Sequence, residues 1–201
     1  MKGRLVYGVG IYTKGKYKAK ESGKDTKVYK VWQPMIQRCY CQKHQEKHPT
    51  YKGCTVCPEW LEFQAFAEWY EFNYPRDGES YHIDKDLKFI GNKVYSPDTC
   101  LLVSQTVNNF IIDHGRGRGD YLIGVSWDSC AKKFRSQCRN PFTKKNEKLG
   151  RFSSELEAHL AWRKRKSELA YELAMTQANP EVRDALLRWK DALDNNEIHT
   201  V

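Results

Sequence analysis

The segment 81–109 constrains the fold more than any other part of this chain. Residues 81–89 alternate between two kinds of side chain, and this pattern predicts a strand. Because side chains on a strand point alternately to its two faces, we expect His82, Asp84 and Asp86 to share one face. That face would carry an imidazole and two carboxylates.

The residues that follow predict a turn, a second strand and a helix. Gly91 predicts the turn, residues 94–95 a return strand, and Pro97 the approach to a helix that carries Asn108. Such a ββα hairpin can hold one divalent cation between strand and helix, with imidazole, carboxylate and amide ligands. An acidic, solvated hairpin is the alternative interpretation.

These residues resemble the HNH endonuclease superfamily, in the homing-type branch that is common in phages. The resemblance implies hydrolysis of DNA phosphodiester bonds with Mg²⁺ or Mn²⁺. Asp84, Asp86 and Asn108 would hold the ion, and His82 is chemically the best general base. If the strand register differs by one residue, Lys85 would be the residue nearest the scissile phosphate.

The charge balance points to a polyanionic partner. The 201 residues include 34 Lys and Arg but 25 Asp and Glu, a net charge of +9, which favours nucleic acid and above all duplex DNA. No apolar run is long enough for a signal peptide or a bilayer span, so we expect no membrane association. The odd count of seven cysteines predicts reduced thiols in a cytosol-like compartment, and the resemblance implies a phage protein in the bacterial cytoplasm.

Two amphipathic helices are predicted before the hairpin. Residues 29–41 have apolar side chains at helical spacing, with Pro34 marking a start or a kink, and residues 59–72 repeat the pattern with a wider apolar face. The two helices are expected to pack on each other. Residues 14–27 contain six lysines and are predicted to be a mobile arm or solvated coil.

Four cysteines between these helices have a zinc-like outline. A CxC pair, Cys39 and Cys41, precedes a CxxC pair, Cys54 and Cys57. A structural Zn²⁺ is one interpretation, and buried thiols beneath a loop are the favoured one. The sequence from residue 29 onward also resembles the N-terminal half of the same phage proteins.

A glycine-rich stretch predicts a domain boundary. Residues 110–120 contain three glycines interleaved with Arg116 and Arg118, which are typical of a linker or of an arginine arm that enters a DNA minor groove. The predicted division is a nuclease-like domain 1–112, a linker 113–120, a DNA-binding domain 121–175 and a C-terminal helix 176–201.

The second domain is predicted to be a three-stranded antiparallel sheet packed on one helix. Alternation indicates strands at 121–127, 133–138 and 148–152, and Ser154 begins a capping box at the start of a helix. The expected fold class is therefore α+β, with a helical N-terminal part and a ββα-metal hairpin before the sheet. A further helix at 179–193 is expected to dock on this domain or on a partner.

The uncovered face of this sheet is predicted to be basic. From Lys132 to Arg151, eight residues are Lys or Arg and one, Glu147, is acidic. A narrow positive sheet fits a DNA major groove, where arginine can read guanine. Residues 123–125, 133–139 and 149–152 resemble the ethylene-response-factor (APETALA-type) DNA-binding domain. The predicted DNA contacts are Ser126, Trp127, Lys133, Arg135, Gln137, Arg139 and Arg151.

Two functions are consistent with these patterns. The favoured one is a metal-dependent DNA endonuclease of homing type. The alternative is a catalytically inactive DNA-binding or regulatory protein that retains the same fold.

Overall fold

A computed structural model of the chain describes residues 3–112 and 120–195. Helices and small sheets are mixed throughout, which confirms the α+β class. The chain divides into two compact units, Met1–Gln105 and Thr106–Val201. Within the described ranges, no helix is both long and apolar enough to cross a membrane.

The first unit combines short strands with four helices. Its strands are β1 (Arg4–Val6), β2 (Gly10–Tyr12), β3 (Lys20–Glu21), β4 (Lys24–Asp25), β5 (Thr55–Val56), β6 (Tyr81–Asp84), β7 (Val94–Tyr95) and β8 (Leu101–Ser104). Its helices are α1 (Lys27–Tyr40), α2 (Gln42–Lys47), α3 (Pro58–Leu61) and α4 (Phe63–Asn73), with a 3-10 turn at Pro49–Tyr51. The strands pair as β1–β2, β3–β4 and β6–β8, all antiparallel, and as β5–β7, which is parallel.

An aromatic core joins α1 to α4. Trp32 and Phe63 are fully buried, their ring centroids are 5.3 Å apart, and the Trp32 Nε1 donates a hydrogen bond to the Trp60 carbonyl at 2.8 Å. The prediction that the two helical segments pack together is therefore confirmed.

The limits of these helices differ from the predicted ones. The α1 helix begins earlier because Thr26 caps it, so Pro34 lies inside the helix rather than at its start. The predicted helix 59–72 is two helices, because the Glu62 side chain accepts a hydrogen bond from the Ala65 N–H and starts α4 anew.

The lysine-rich segment is hydrogen-bonded to the rest of the first unit, while its six lysines are exposed and residues 13–19 form no helix or strand, as the solvated-coil interpretation predicts. The Gln64 side chain donates hydrogen bonds to the carbonyls of Thr13 and Tyr17 and accepts one from the Tyr17 N–H, at 2.9–3.0 Å. The β3–β4 hairpin completes the segment, and the Thr26 hydroxyl donates to the Lys18 carbonyl. The segment has few apolar residues, and side-chain hydrogen bonds to its backbone N–H and C=O groups hold it in place instead.

The second unit is built on a three-stranded antiparallel sheet. Its elements are α5 (Gln105–Ile111), β9 (Val125–Asp128), β10 (Lys133–Arg139), β11 (Asn146–Phe152), α6 (Glu155–Met175) and α7 (Pro180–Asp194), and the strand order is β11–β10–β9. One face of the sheet contacts α6, and α7 packs against α6. The first strand of this sheet begins four residues after its predicted start at residue 121. A turn from Leu122 to Val125 precedes it, in which Gly124 has φ +77°.

Local signals at the helix ends are confirmed. Ser154 and Glu157 form the predicted capping box, and Asn179 caps α7 with Pro180 in its first turn.

The division between the units falls after Gln105, the first residue of α5, whereas the sequence predicts a boundary at residue 112. The reason is that α5 contacts the C-terminal helices. The Phe110 ring lies 5.6 Å from that of Trp189, and Lys166 Nζ donates a hydrogen bond to the Phe110 carbonyl at 2.6 Å.

Candidate functional site

The first candidate region is the β6–β8 hairpin, where His82 pairs with Val103 and Asp84 with Leu101. The strand ends at Asp84, so the prediction that it continues to residue 89 was wrong. It ends there because Asp84 Oδ1 accepts hydrogen bonds from the N–H groups of Asp86 and Leu87, at 2.9 and 2.6 Å. The predicted return strand also has another partner, since β7 pairs with β5 rather than with β6.

Two of the three predicted polar residues share a strand face. His82 and Asp84 lie two residues apart on β6, and Ile83 points the other way into the hydrophobic core. His82 Nε2 is buried and has no hydrogen-bond partner within the described structure. Burial raises the pKa of the Asp84 carboxyl above its ordinary value, against the two backbone N–H groups, which lower it.

Asp86 and Lys85 do not have the predicted positions. Asp86 lies in the turn after the strand, is exposed, and accepts a hydrogen bond from Lys85 Nζ. Lys85 is only 7% exposed, and its ammonium also donates to the Asn92 carbonyl at 2.8 Å. The Asn92 amide in turn donates to the carbonyls of Lys85 and Val94. The lysine therefore closes a loop, and its ammonium is engaged by Asp86 and by the Asn92 carbonyl.

The predicted ligands for Mg²⁺ or Mn²⁺ are not assembled within the first unit. In the described residues, no three His, Cys, Asp or Glu side chains come close enough to hold a metal ion. Asp86 is turned away towards Lys85, and Asn108 lies on α5 in the other unit. Two donors on one strand do not make a magnesium site, which needs oxygen ligands in octahedral arrangement.

The four cysteines with a zinc-like outline are likewise not part of any group of three His, Cys, Asp or Glu side chains close enough to hold a metal ion in the described residues. Cys39 and Cys54 are buried, whereas Cys41 and Cys57 are partly exposed. Burial raises the pKa of the Cys39 thiol to about 12 and also raises that of Cys57.

The second candidate region is the sheet face opposite α6. On β10, Ser136 and Cys138 are buried beneath α6, so alternation places Lys133, Arg135, Gln137 and Arg139 on the other side. Their neighbours in register on that side are Ser126, Asp128, Asn146, Lys148 and Arg151. We call these nine residues the open face.

The open face carries five cations and one acid. Arg135 and Arg151 lie directly opposite each other on adjacent strands. Arg151 Nε donates to Asp128 Oδ2 at 2.8 Å, and Arg135 Nε donates to the Ser126 hydroxyl at 3.2 Å.

The three other cations of the open face, Lys133, Arg139 and Lys148, are exposed. In the part of the chain that the structure describes, none of them has an acidic partner within ion-pair distance. The face is therefore strongly positive.

Two residues of this sheet lie on a face that the sequence did not predict for them. Trp127 is predicted from the sequence to contact DNA. In the structure it lies opposite Phe134, with ring centroids 4.9 Å apart, on the α6 side of the sheet, so it is not part of the open face. Lys148 was missed, because strict alternation from Arg151 places it on the α6 side. A bulge opposite Ser136 and Gln137 shifts the register and brings Lys148 to the open face. Arg116 and Arg118 lie outside the described residues.

Comparison of the chain with protein-family models, with curated proteins and with solved structures finds no match. The function is therefore inferred from the two regions described above.

Proposed function

We propose that this protein binds duplex DNA through the open face. The observation that supports the proposal most directly is that five of its nine residues are cationic, while its one acid, Asp128, is already paired with Arg151. Positive charge of this density attracts the phosphate backbone, and a three-stranded sheet is narrow enough for strands to enter a major groove. The resemblance to the ethylene-response-factor domain implies the same use of the sheet.

The arrangement of the arginines also favours a polyanion. Like charges directly opposite each other on adjacent strands destabilise a sheet, and Arg135 and Arg151 are such a pair. A pairing that costs stability in the free protein is explained if DNA phosphates or guanine edges lie between the two side chains in the complex.

The first test is binding of the full-length chain to duplex DNA as salt concentration is raised. Each neutralised phosphate contributes about −0.9 to the slope of log affinity against log salt. If the five open-face cations contact phosphates or bases, we expect a slope of roughly −3 to −5. Fluorescence anisotropy of a labelled duplex measures it. An affinity that does not depend on salt would contradict the proposal.

Cleavage of DNA by an HNH-type site is the second candidate function. It is favoured by His82 and Asp84, which share one face of β6: His82 has a buried, unpartnered imidazole nitrogen, and Asp84 is a half-buried carboxyl whose pKa is raised. Unsatisfied polar atoms and buried carboxyls cost stability, and they are concentrated at functional sites. DNA binding is the better supported function, because no three His, Cys, Asp or Glu side chains of the described residues come close enough to hold a divalent ion.

Replacing Asp84 with asparagine separates the roles of this residue. The amide oxygen can still accept the two backbone hydrogen bonds of the turn, while the half-buried charge is removed. We therefore expect Asp84→Asn to raise the free energy of unfolding at neutral pH, measured by chemical denaturation. The same variant should lose any cleavage of plasmid DNA seen with Mg²⁺ or Mn²⁺.

The pH dependence of this stability gain follows from the pKa of Asp84. The folded protein binds the proton more tightly than the unfolded chain, whose pKa is near 3.8, so the wild type loses stability as pH rises above that value. The gain in Asp84→Asn should therefore be present at neutral pH and disappear at pH below about 3.8. Asp98→Asn, an exposed change between β7 and β8, is the control. A loss of stability in Asp84→Asn at neutral pH would show that the charge itself stabilises the fold.

A further inference from the structure

An open groove of about 1290 Å³ lies in the first unit, remote in sequence from both regions described above. Its walls come from β1, β2, the segment 13–20 and the first half of α1. Pockets for small molecules measure about 300–1,000 Å³, so this groove has room for an extended ligand.

The groove is basic. Of the described residues that line it, four are cations (Arg4, Lys14, Lys18 and Lys20) and one is an acid, Asp25. Asp25 lies 3.8 Å from Lys20, which leaves three cations unmatched. Lys14 and Lys18 are exposed and have no ion pair within the described residues. The charge therefore favours an anionic ligand that is long enough to meet several cations.

The groove is also lined by tyrosine rings. Tyr29 is buried, and its hydroxyl accepts a hydrogen bond from the Arg4 guanidinium at 3.1 Å. Tyr12 and Tyr17 are partly exposed. Arg4 lies over the Tyr12 ring, 5.7 Å from its centroid. Aromatic faces beside cations are the combination on which unpaired bases stack while the phosphates are neutralised.

The lysine-bearing wall has a fixed position. The Gln64 side chain forms hydrogen bonds with backbone groups of Thr13 and Tyr17. A Cβ placed on Gly15 would lie 2.6 Å from Gln64 Oε1. The glycine thus allows the close approach on which these hydrogen bonds depend. Because the backbone of this loop is held at both ends, less backbone entropy is lost when a ligand binds.

We propose that this groove binds single-stranded nucleic acid, with a base stacked on Tyr17 and phosphates at Lys14 and Lys18. This site goes beyond duplex binding by the open face and uses none of its residues. Stacking distinguishes it from a purely electrostatic site, because an acidic peptide has no base to stack.

The experiment is anisotropy of labelled oligothymidylate and oligouridylate with the full chain. It is done in an Arg139→Ala/Lys148→Ala background, so that the open face contributes little. We expect Tyr17→Ala to weaken binding by about tenfold or more, as for loss of one stacked base, and Tyr17→Phe to retain it. Lys14→Ala/Lys18→Ala should weaken binding and lower the salt slope by roughly 1.4.

The matched control is Lys30→Ala/Lys43→Ala, which removes two exposed lysines from α1 and α2 outside the groove. Equal effects of the two lysine pairs would overturn the proposal. So would competition by polyphosphate or polyglutamate as strong as that by oligothymidylate. Circular dichroism shows whether Tyr17→Ala is folded. If it is not, the Lys14→Ala/Lys18→Ala variant tests whether the groove binds the oligonucleotide. Failure of duplex binding leaves this result unaffected, because the variants and the ligand differ.

Discussion

Replacing both Arg139 and Lys148 with alanine should weaken binding of the full chain to duplex DNA by roughly ten- to a hundredfold. The two side chains are exposed on the open face and have no acidic partner in the described structure, so their charge is available to phosphates or base edges. The slope of log affinity against log salt should fall by about 1.8 if both contact phosphates. Anisotropy of a labelled duplex at several salt concentrations measures both quantities.

The control for this pair removes the same charge from the helical side of the same unit. Lys164 on α6 and Arg188 on α7 are exposed and lie outside the sheet. Lys164→Ala/Arg188→Ala should leave affinity and slope close to those of the wild type. If the control weakens binding as much as the open-face pair does, net charge rather than the open face determines affinity, and the proposal fails.

The open face can also be tested for recognition of the DNA base sequence. If Arg139 contacts a guanine, its single replacement weakens binding to the preferred sequence more than to unrelated duplexes, whereas loss of a phosphate contact weakens all sequences alike. The alanine variants of the first experiment, measured on several duplexes, therefore distinguish the two kinds of contact.

Gly124→Ala should lower the free energy of unfolding of the second unit by roughly 2–5 kcal/mol. Gly124 has φ +77°, and a Cβ there would lie 2.1 Å from the Trp162 side chain of α6. The added methyl group therefore costs both a left-handed backbone conformation and a steric clash where the sheet meets its helix. Thermal and denaturant unfolding followed by circular dichroism measure the loss.

A second glycine separates the two costs. Gly23 has the same φ of +77°, but a Cβ there would have nothing within 4 Å. Gly23→Ala should therefore cost about 1 kcal/mol, the backbone contribution alone. Similar losses in the two variants would mean that the contact between Gly124 and Trp162 is not close.

Local signals predicted the existence of the longer helices, though not the limits of α1 and α4 or the short helix α2. The apolar spacing of α1 and α4, the capping box at Ser154 and the cap at Asn179 each depend on residues within a few positions of one another. Such interactions can be evaluated from the sequence, because the partners are known in advance.

Strand partners and strand ends were harder to predict. The strand after His82 ends early because the Asp84 side chain bonds two backbone N–H groups, and alternation alone does not reveal that competition. The β5–β7 pair joins segments about forty residues apart, and the bulge that exposes Lys148 depends on the register with β10. Each of these depends on tertiary contacts that a pattern in one segment does not contain.

The ion pair between Arg151 and Asp128 has a consequence for selectivity. In the free protein a carboxylate already occupies the place that a phosphate would take, so backbone binding at Arg151 exchanges one anion for another and gains little. A guanine edge offers two aligned acceptors, which a single carboxylate contact to Nε does not match. If the open face binds DNA as proposed, Arg151 contributes little to affinity for random sequences and more to the choice among sequences. Arg139 and Lys148, which have no acidic partner in the described structure, would supply the general attraction.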